Sequence, residues 1–328
     1  MRQLLSRRVV LLCSVAALAL SLSSAPMAQD DFPNRPIRIV VPVAPGAATD
    51  AIARILADQL RVKSGQSVIV ENRAGGASGN VGAEYVARSA PDGYTVMFSA
   101  AGPIALNKLI YAKMTFDPAV FVPVSLVASI SNVLIVRSES PYKSVRDIIN
   151  FAKANPGKLN YGTGGLGTTV HITTEKFKAQ SGSDILHVPY KGGAAALTGL
   201  LQGQTDFMFT ELSTSYPHIK GGRLRALAVG TEVRNPALPD VPTMSEIIPG
   251  FQSVVWYGLV VPPKTPPEVA TKLSGWIAEI LKQPNVLARL QDLNVQPIGS
   301  SPAEMGRFVQ QEIERWGDVI RTAKIVGD

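Results

Sequence analysis

The sequence predicts an α/β protein. Short runs rich in β-branched residues alternate with amphipathic segments, the pattern of strands and helices laid in layers. Two of these units share one design: a strand, a loop of small residues and a helix start. Ile37–Val41 runs through Pro42-Val43-Ala44-Pro45-Gly46-Ala47-Ala48-Thr49-Asp50 into a helical pattern. Lys158-Leu159-Asn160-Tyr161 runs through Gly162-Thr163-Gly164-Gly165-Leu166-Gly167-Thr168-Thr169 into another. A helix N-terminus presents unpaired N–H groups and a partial positive charge, and small residues let an anion reach the backbone. Two such ends facing each other across a cleft hold a carboxylate without a catalytic side chain, so the chain reads as a binder of small anions.

At the N-terminus, Arg2, Arg7 and Arg8 precede an apolar run from Val9 to Leu22, with small residues after it and Ala28 as the expected cleavage point. Residues 1–28 therefore read as a secretory signal peptide. The run is shorter than the ~20 apolar residues a membrane span needs. Cys13 is the only cysteine. It follows bulky Leu12, which argues against lipid attachment, and it leaves with the signal. The mature chain then has no disulfide, no thiolate nucleophile and no cysteine metal ligand, which suits a bacterial periplasm. Its ~300 residues suffice for one large domain or two smaller ones. The formal charge is +7, and loss of the three signal arginines leaves +4. Lys and Arg are scattered, with no basic run interleaved with aromatics. The chain is not expected to bind nucleic acid, and its mild positive balance favours anionic ligands.

Further along, Ile52, Ile55, Leu56 and Leu60 form one stripe of a helix that Thr49 or Asp50 can cap and Gly65 ends. Val68-Ile69-Val70 is the next strand. It leads into the loop Glu71–Asn80 and a helix ending near Ser89. Thr95–Ser99 is a third strand, followed by Ala100-Ala101-Gly102-Pro103. A second set of strands comprises Val133–Val136, the Tyr161 strand, Ile185–Val188, Asp206–Phe209 and Leu224–Val229. A turn-rich stretch, 235–242, precedes a strand at Val255–Val261. The remainder is helical. Thr265-Pro266-Pro267-Glu268 and Ser301-Pro302-Ala303-Glu304 read as capping boxes with proline at the first helical position, and Leu273, Ile277, Ile280 and Leu281 supply a core face.

Gly162, Gly164 and Gly167 spell G-x-G-x-x-G, but the acid that confirms a dinucleotide site is missing: the next strand is followed by Pro189-Tyr190-Lys191. No cofactor is expected. The loop still forms an anion-accepting nest, or a tight turn without a ligand. His171 and Glu175 are four apart on one helical face. With only three histidines and no H-E-x-x-H, no metal is expected, and His171 reads as structural or cleft-lining. There is no G-x-S-x-G elbow, and no catalytic residue is assigned. Asp50 reads as a helix cap. Thr168 and Thr169 cap the second helix, and their hydroxyls can also face a ligand. Lys191 either attracts an acid to the cleft or is a solvated lysine. Glu211, at a strand's carboxyl end, either receives a ligand's ammonium group or lies in solvent.

The ordered set of these pieces resembles the extracytoplasmic solute receptors of the tripartite tricarboxylate transporter family, the Bug receptors. The marks are Arg35–Pro42 running to Gly46 and Asp50, Glu71-Asn72-Arg73, and Pro91-Asp92-Gly93-Tyr94. After them come Tyr161-Gly162 with the glycine loop and His171, then His187–Gly192, Gly221–Val229, and Leu238–Thr243 with Glu246. The resemblance implies a periplasmic binding-protein type II fold: two lobes with a cleft between them and a two-strand hinge. It places the first lobe at 29–127 and 231–328 and the second at 128–230. It also implies that Val43–Asp50 and Gly162–Thr169 clamp one carboxylate through backbone groups. Specificity would lie in a distal pocket formed by Asn80, Ala100, Ala101, Gly102, Tyr190 and Glu211. The chain departs from the family pattern at Ala47 and Ala48, where glycine is common, and at Thr210-Glu211, where acidic pairs are often seen. The expected partners are a small organic carboxylate (a di- or tricarboxylate, an acidic amino acid or an aromatic acid) and the membrane subunits of a transporter, or alternatively a membrane sensor. A monomer is expected. A periplasmic enzyme with His171 as general base is the remaining alternative.

Overall fold

The two strand–loop–helix units sit in different halves of the molecule. A computed structural model describes residues 32–75 and 79–327. The expected signal peptide, Cys13 and residues 76–78 of the second loop lie outside them. β1 (Ile37–Val41) runs parallel to both β2 (Val68–Asn72) and β3 (Thr95–Ala100). All but one of its side chains are buried, as its apolar, β-branched sequence requires. Helix α1 (Ala48–Ser64) buries Ile52, Ile55, Leu56 and Leu60, and Gly65 closes it in the left-handed conformation at φ 69°. Helix α2 is Asn80–Ala87.

A single long strand joins the halves. β4 (Val122–Arg137) is 16 residues long. From Val122 to Ser131 it pairs antiparallel with β9 (Val254–Val261), and around Ala128–Ile130 also with β10 (Val295–Pro297). From Asn132 onward it pairs with β7 (Met208–Glu211) and β8 (Leu224–Val229). The first lobe is thus a sheet of order β10-β4-β9-β3-β1-β2. The second adds α3 (Val145–Ala154), then β5 (Asn160–Thr163), which lies parallel to β6 (Leu186–Pro189). Helices α4 (Thr169–Ser181), α5 (Gly193–Leu201) and α6 (Leu212–Lys220) cover it. The chain returns to the first lobe for α7 (Pro267–Ile280), α8 (Pro284–Asp292) and α9 (Pro302–Thr322). Among the described residues, no helix is long and apolar enough to cross a membrane.

Several expected elements are present with shifted edges. Only Val133–Val136 of β4 was legible as a strand, because Pro123, Ser125, Ser129, Ser131 and Asn132 interrupt the apolar pattern. The serines at 125 and 131 are nevertheless buried, since this strand lies at the centre of the sheet. The Ser301–Glu304 capping box forms, with Pro302 in the first turn. The box expected at Thr265–Glu268 does not: Pro266 is the N-cap, and the Thr265 hydroxyl instead donates to the Pro262 carbonyl at 2.8 Å. Neither Thr49 nor Asp50 is the N-cap of α1. Ala47 holds that place without a side-chain bond, and both polar residues fall inside the first turn.

The lobes cross at a knot of backbone bonds. The Asn132 N–H donates to the Ser253 carbonyl (3.2 Å), the Gly230 N–H to the Asn132 carbonyl (2.7 Å), and the Ser253 N–H to the Gly230 carbonyl (2.8 Å). The Asn132 amide adds a bond to the Ser253 hydroxyl at 2.7 Å. Residues 231–252, expected in the first lobe, pack on the second. Met244 and Phe251 lie in the cluster of Tyr161, Phe177, Phe207 and Phe209, and the Val229 N–H bonds the Pro242 carbonyl. The reason is apolar burial, which carries the chain over the second lobe before it turns back at Ser253.

Gly230 tolerates no side chain at this knot: a Cβ there would stand 2.1 Å from the Ser253 carbonyl oxygen. Gly230→Ala is expected to destabilise the protein by about 1–3 kcal/mol through overpacking, read as a lowered urea midpoint. An unchanged midpoint would show that the crossing strands separate freely.

Candidate functional site

In each lobe the candidate loop follows the carboxyl end of a strand and opens a helix, the usual place for a ligand in an open α/β sheet. In the first lobe, residues 44–47 are exposed and Val43 and Ala48 are half-buried. Gly46 takes a left-handed φ of 88° and donates its N–H to Asp50 Oδ2 at 3.0 Å. Asp50 is buried and also receives the Asn72 amide (2.9 Å) and the Arg54 guanidinium (3.0 Å). Burial alone would raise its carboxyl pKa, but Arg54, the Gly46 N–H and Asn72 together hold it below the usual range. The second Asn72 amide hydrogen reaches the Val43 carbonyl at 3.2 Å. The loop is therefore fixed from below by an ionised carboxylate. The N–H groups of Ala48 and Thr49, in the first helical turn, have no partner among the described residues.

The second loop repeats this arrangement with different atoms. Gly167 takes φ 73° and donates its N–H to His171 Nδ1 at 3.1 Å. The acceptor lies four residues on, as Asp50 does from Gly46. Thr168 caps α4 by accepting the His171 N–H, and its hydroxyl donates to the Gly165 carbonyl at 2.9 Å. Thr163 is buried, lies 2.6 Å from His187 Nε2 and accepts the Gly165 N–H. The Gly164 carbonyl accepts from Gly192 at 3.1 Å, and a Cβ at Gly164 would meet Gly193 N at 2.7 Å. The N–H groups of Thr169 and Val170 lack partners among the described residues. This loop touches the first lobe: the Tyr111 hydroxyl donates to the Leu166 carbonyl at 3.3 Å, and Ile110 packs beside Gly167.

His171 is a buried support. It stacks on His187 at 4.1 Å, which in turn stacks on Tyr161 at 5.0 Å. Because Nδ1 accepts a hydrogen bond, its proton resides on Nε2. Burial, followed by repulsion from His187 and Lys178, lowers its pKa to about 3. A ring this acidic is a poor general base at neutral pH. Glu175, its expected partner on the helix face, accepts instead from Tyr161 and Lys178. Among the described residues no cluster of three or more metal-ligating side chains occurs.

The remaining candidates lie on several elements. Ala100 ends β3 opposite Tyr257 of β9, with Ala101 buried and Gly102 half-buried beyond it. Asn80 accepts from the Asn107 amide at 2.6 Å. The Tyr190 ring lies on Gly199 of its own lobe, and its hydroxyl bonds Gln204. Lys191 is exposed. Glu211 is half-buried and lies opposite Asn132 across β4. Loss of water raises its carboxyl pKa, and the neighbouring Tyr257 hydroxyl counters this in part. Asn132 and Tyr257 had no motif to announce them; a polar residue inside the apolar run Val127–Val136 was the one available signal.

The model of the tripartite tricarboxylate transporter family receptor matches residues 52–325. The chain belongs to that receptor family. Protein BugT of Bordetella pertussis is 34% identical over 301 residues, covering 91% of this chain and 92% of BugT. An R. palustris protein solved with adipate superposes with a TM-score of 0.84 at 39% identity, over 90% of this chain and 99% of that one. The Rhodopseudomonas palustris protein MatC, solved with bound malate, superposes with a TM-score of 0.79 at 32% identity, over 88% and 100%. These receptors share the two-lobed α/β fold described above.

The His171 ring gives the receptor a pH signature. Its folded value of about 3 lies below the ordinary 6.5. As pH falls, the unfolded chain takes up this proton first, so the stabilisation is complete above about 6.5 and lost progressively between 6.5 and 3. His171→Asn keeps an acceptor for Gly167 and removes the titration. Between pH 7 and 5 its stability is expected to fall less steeply than that of the unmodified protein, by up to about 1.4 kcal/mol per pH unit. Urea midpoints at three pH values check this, and parallel curves would contradict it.

Proposed function

We propose that this chain is an exported periplasmic receptor that closes its two lobes on a small organic carboxylate and delivers it to the membrane subunits of a tripartite tricarboxylate-type transporter. One observation carries the reading: two helix starts, one in each lobe, keep unpartnered N–H groups behind a glycine pinned by a buried side chain. Ala48 and Thr49 on one side, with Thr169 and Val170 on the other, offer backbone donors and two helix dipoles to a single anion. The relatives solved with adipate and with malate support a carboxylate as the ligand. Val43–Ala48 and Thr163–Thr169 form the two sides of the clamp, with Asn80 and Ala100–Gly102 further along the cleft. Asp50 and His171 position the clamp. Thus Gly46 and Gly167 shape the site while spending their own N–H groups within it.

The moving bodies are residues up to 131 together with 253 onward, and residues 132–252, hinged at the Asn132–Ser253 knot. The cleft lies within one chain, so a monomer suffices. Binding without turnover fits a His171 ring that is engaged and hard to protonate. Residues 1–28 would direct export.

The test exploits proline at the first helical position, which removes one N–H without breaking a helix. The protein is unfolded and refolded to strip carried ligand, then titrated with adipate, malate and succinate. At least one is expected to raise the melting temperature, as a ligand at a hundred times its Kd stabilises by about 2.7 kcal/mol. Ala48→Pro and Thr169→Pro are each expected to weaken that binding about 10–100-fold while leaving the unliganded melting temperature nearly unchanged. Full affinity in both variants would rule out the backbone clamp.

A further inference from the structure

The crossing of the lobes gathers polar side chains with no lysine or arginine paired to their carboxyl among the described residues. Glu211 ends β7 directly opposite Asn132 on β4, so the two side chains share one face of the sheet. Tyr257 reaches the same place from β9 and lies against the Glu211 carboxyl. Asn132 and Tyr257 are both fully buried. The Asn132 amide nitrogen is committed to the Ser253 hydroxyl, while its oxygen, Oδ1, has no partner among the described residues. The Tyr257 hydroxyl is the one polar group that the Glu211 carboxyl meets among the described residues, and it lowers the carboxyl's pKa only in part against the effect of burial. No lysine or arginine among the described residues forms an ion pair with Glu211.

A buried acceptor left unpaired costs stability unless something donates to it. A second carboxylate on the ligand would meet the Glu211 carboxyl with no cation between them. An ammonium group brings three donors and the matching charge. Building on the carboxylate-receptor reading, we infer that Glu211, Asn132 and Tyr257 form a subsite for a ligand ammonium group, and that the receptor takes amino-carboxylates in preference to dicarboxylates of the same length. The clamp of helix ends holds the carboxylate, and the acceptors at the hinge hold the cationic end. Glu211 sets this choice, because it is the only carboxyl of the three, and a cation beside it offsets the loss of water that raises its pKa.

Matched probes test this on the refolded full-length mature protein by calorimetric titration: succinate against 4-aminobutanoate, and adipate against 6-aminohexanoate. In at least one pair the amino-carboxylate is expected to bind about 10-fold or more tightly than the dicarboxylate, the scale of a charge-assisted hydrogen bond. Glu211→Gln keeps the shape and removes the charge. It is expected to weaken the amino probe about 10–100-fold and to leave the dicarboxylate equal or tighter. Glu211→Asp, with the charge retained, is expected to keep the preference even if the glutamine variant melts early. Dicarboxylates that bind as tightly as or more tightly than their amino partners in both pairs overturn the inference and leave the carboxylate reading standing. So does a preference that survives Glu211→Gln. If none of the four probes binds, both fall together.

Discussion

A helix N-terminus grips an anion only if the loop ahead of it cannot collapse onto its own donors. In this protein that constraint is met twice by the same device. A glycine with left-handed φ gives its N–H to a buried side chain four residues on: Gly46 to Asp50, and Gly167 to His171. The bond turns the loop back, and the N–H groups of Ala48, Thr49, Thr169 and Val170 that follow have no partner among the described residues. Burial of the acceptor makes the bond hard to exchange for water, so the geometry is set before any ligand arrives. One acceptor is an anion held by Arg54, and the other is a neutral imidazole held by a stack of rings. The chemistry differs, yet the backbone outcome is the same.

Around these two loops the fold is arranged so that they can approach. β4 belongs to both sheets, and the other passage between lobes among the described residues is held to it at Asn132 by Gly230 and Ser253. Away from this crossing, the lobes also touch where Lys176 of α4 lies over the Trp316 ring of α9 and Arg315 donates to the Gln252 carbonyl at 2.8 Å. Burial, with Arg315 nearby, lowers this lysine to about 8. Glu312 beneath it accepts from the indoles of Trp256 and Trp316, which fixes the surface on which the second lobe rests.

Much of this was legible in the sequence. The strand–loop–helix units, the stripe of α1, the left-handed Gly65 and the Ser301 capping box follow from local patterns that tertiary contacts did not override. What was not legible depends on long-range packing. The first half of β4 hides behind serines that are buried because two neighbouring strands flank it. Residues 231–252 carry no signal of which lobe they cover until Met244 and Phe251 find their cluster. Asp50 read as a cap, but its role is set by Gly46, Asn72 and Arg54, the last two of which meet only in the fold. Tyr190, placed in the distal pocket by resemblance, packs on Gly199 because its ring fills the space that a glycine leaves.

The central claim is that backbone donors at two helix starts hold one carboxylate. A crystal structure of the protein with adipate tests it most directly. One ligand carboxylate is expected between the lobes, its oxygens within about 3 Å of the amide nitrogens of Ala48 or Thr49 and of Thr169 or Val170, directly or through a single water. A carboxylate held instead by lysine or arginine side chains, with those four N–H groups facing solvent, would contradict it.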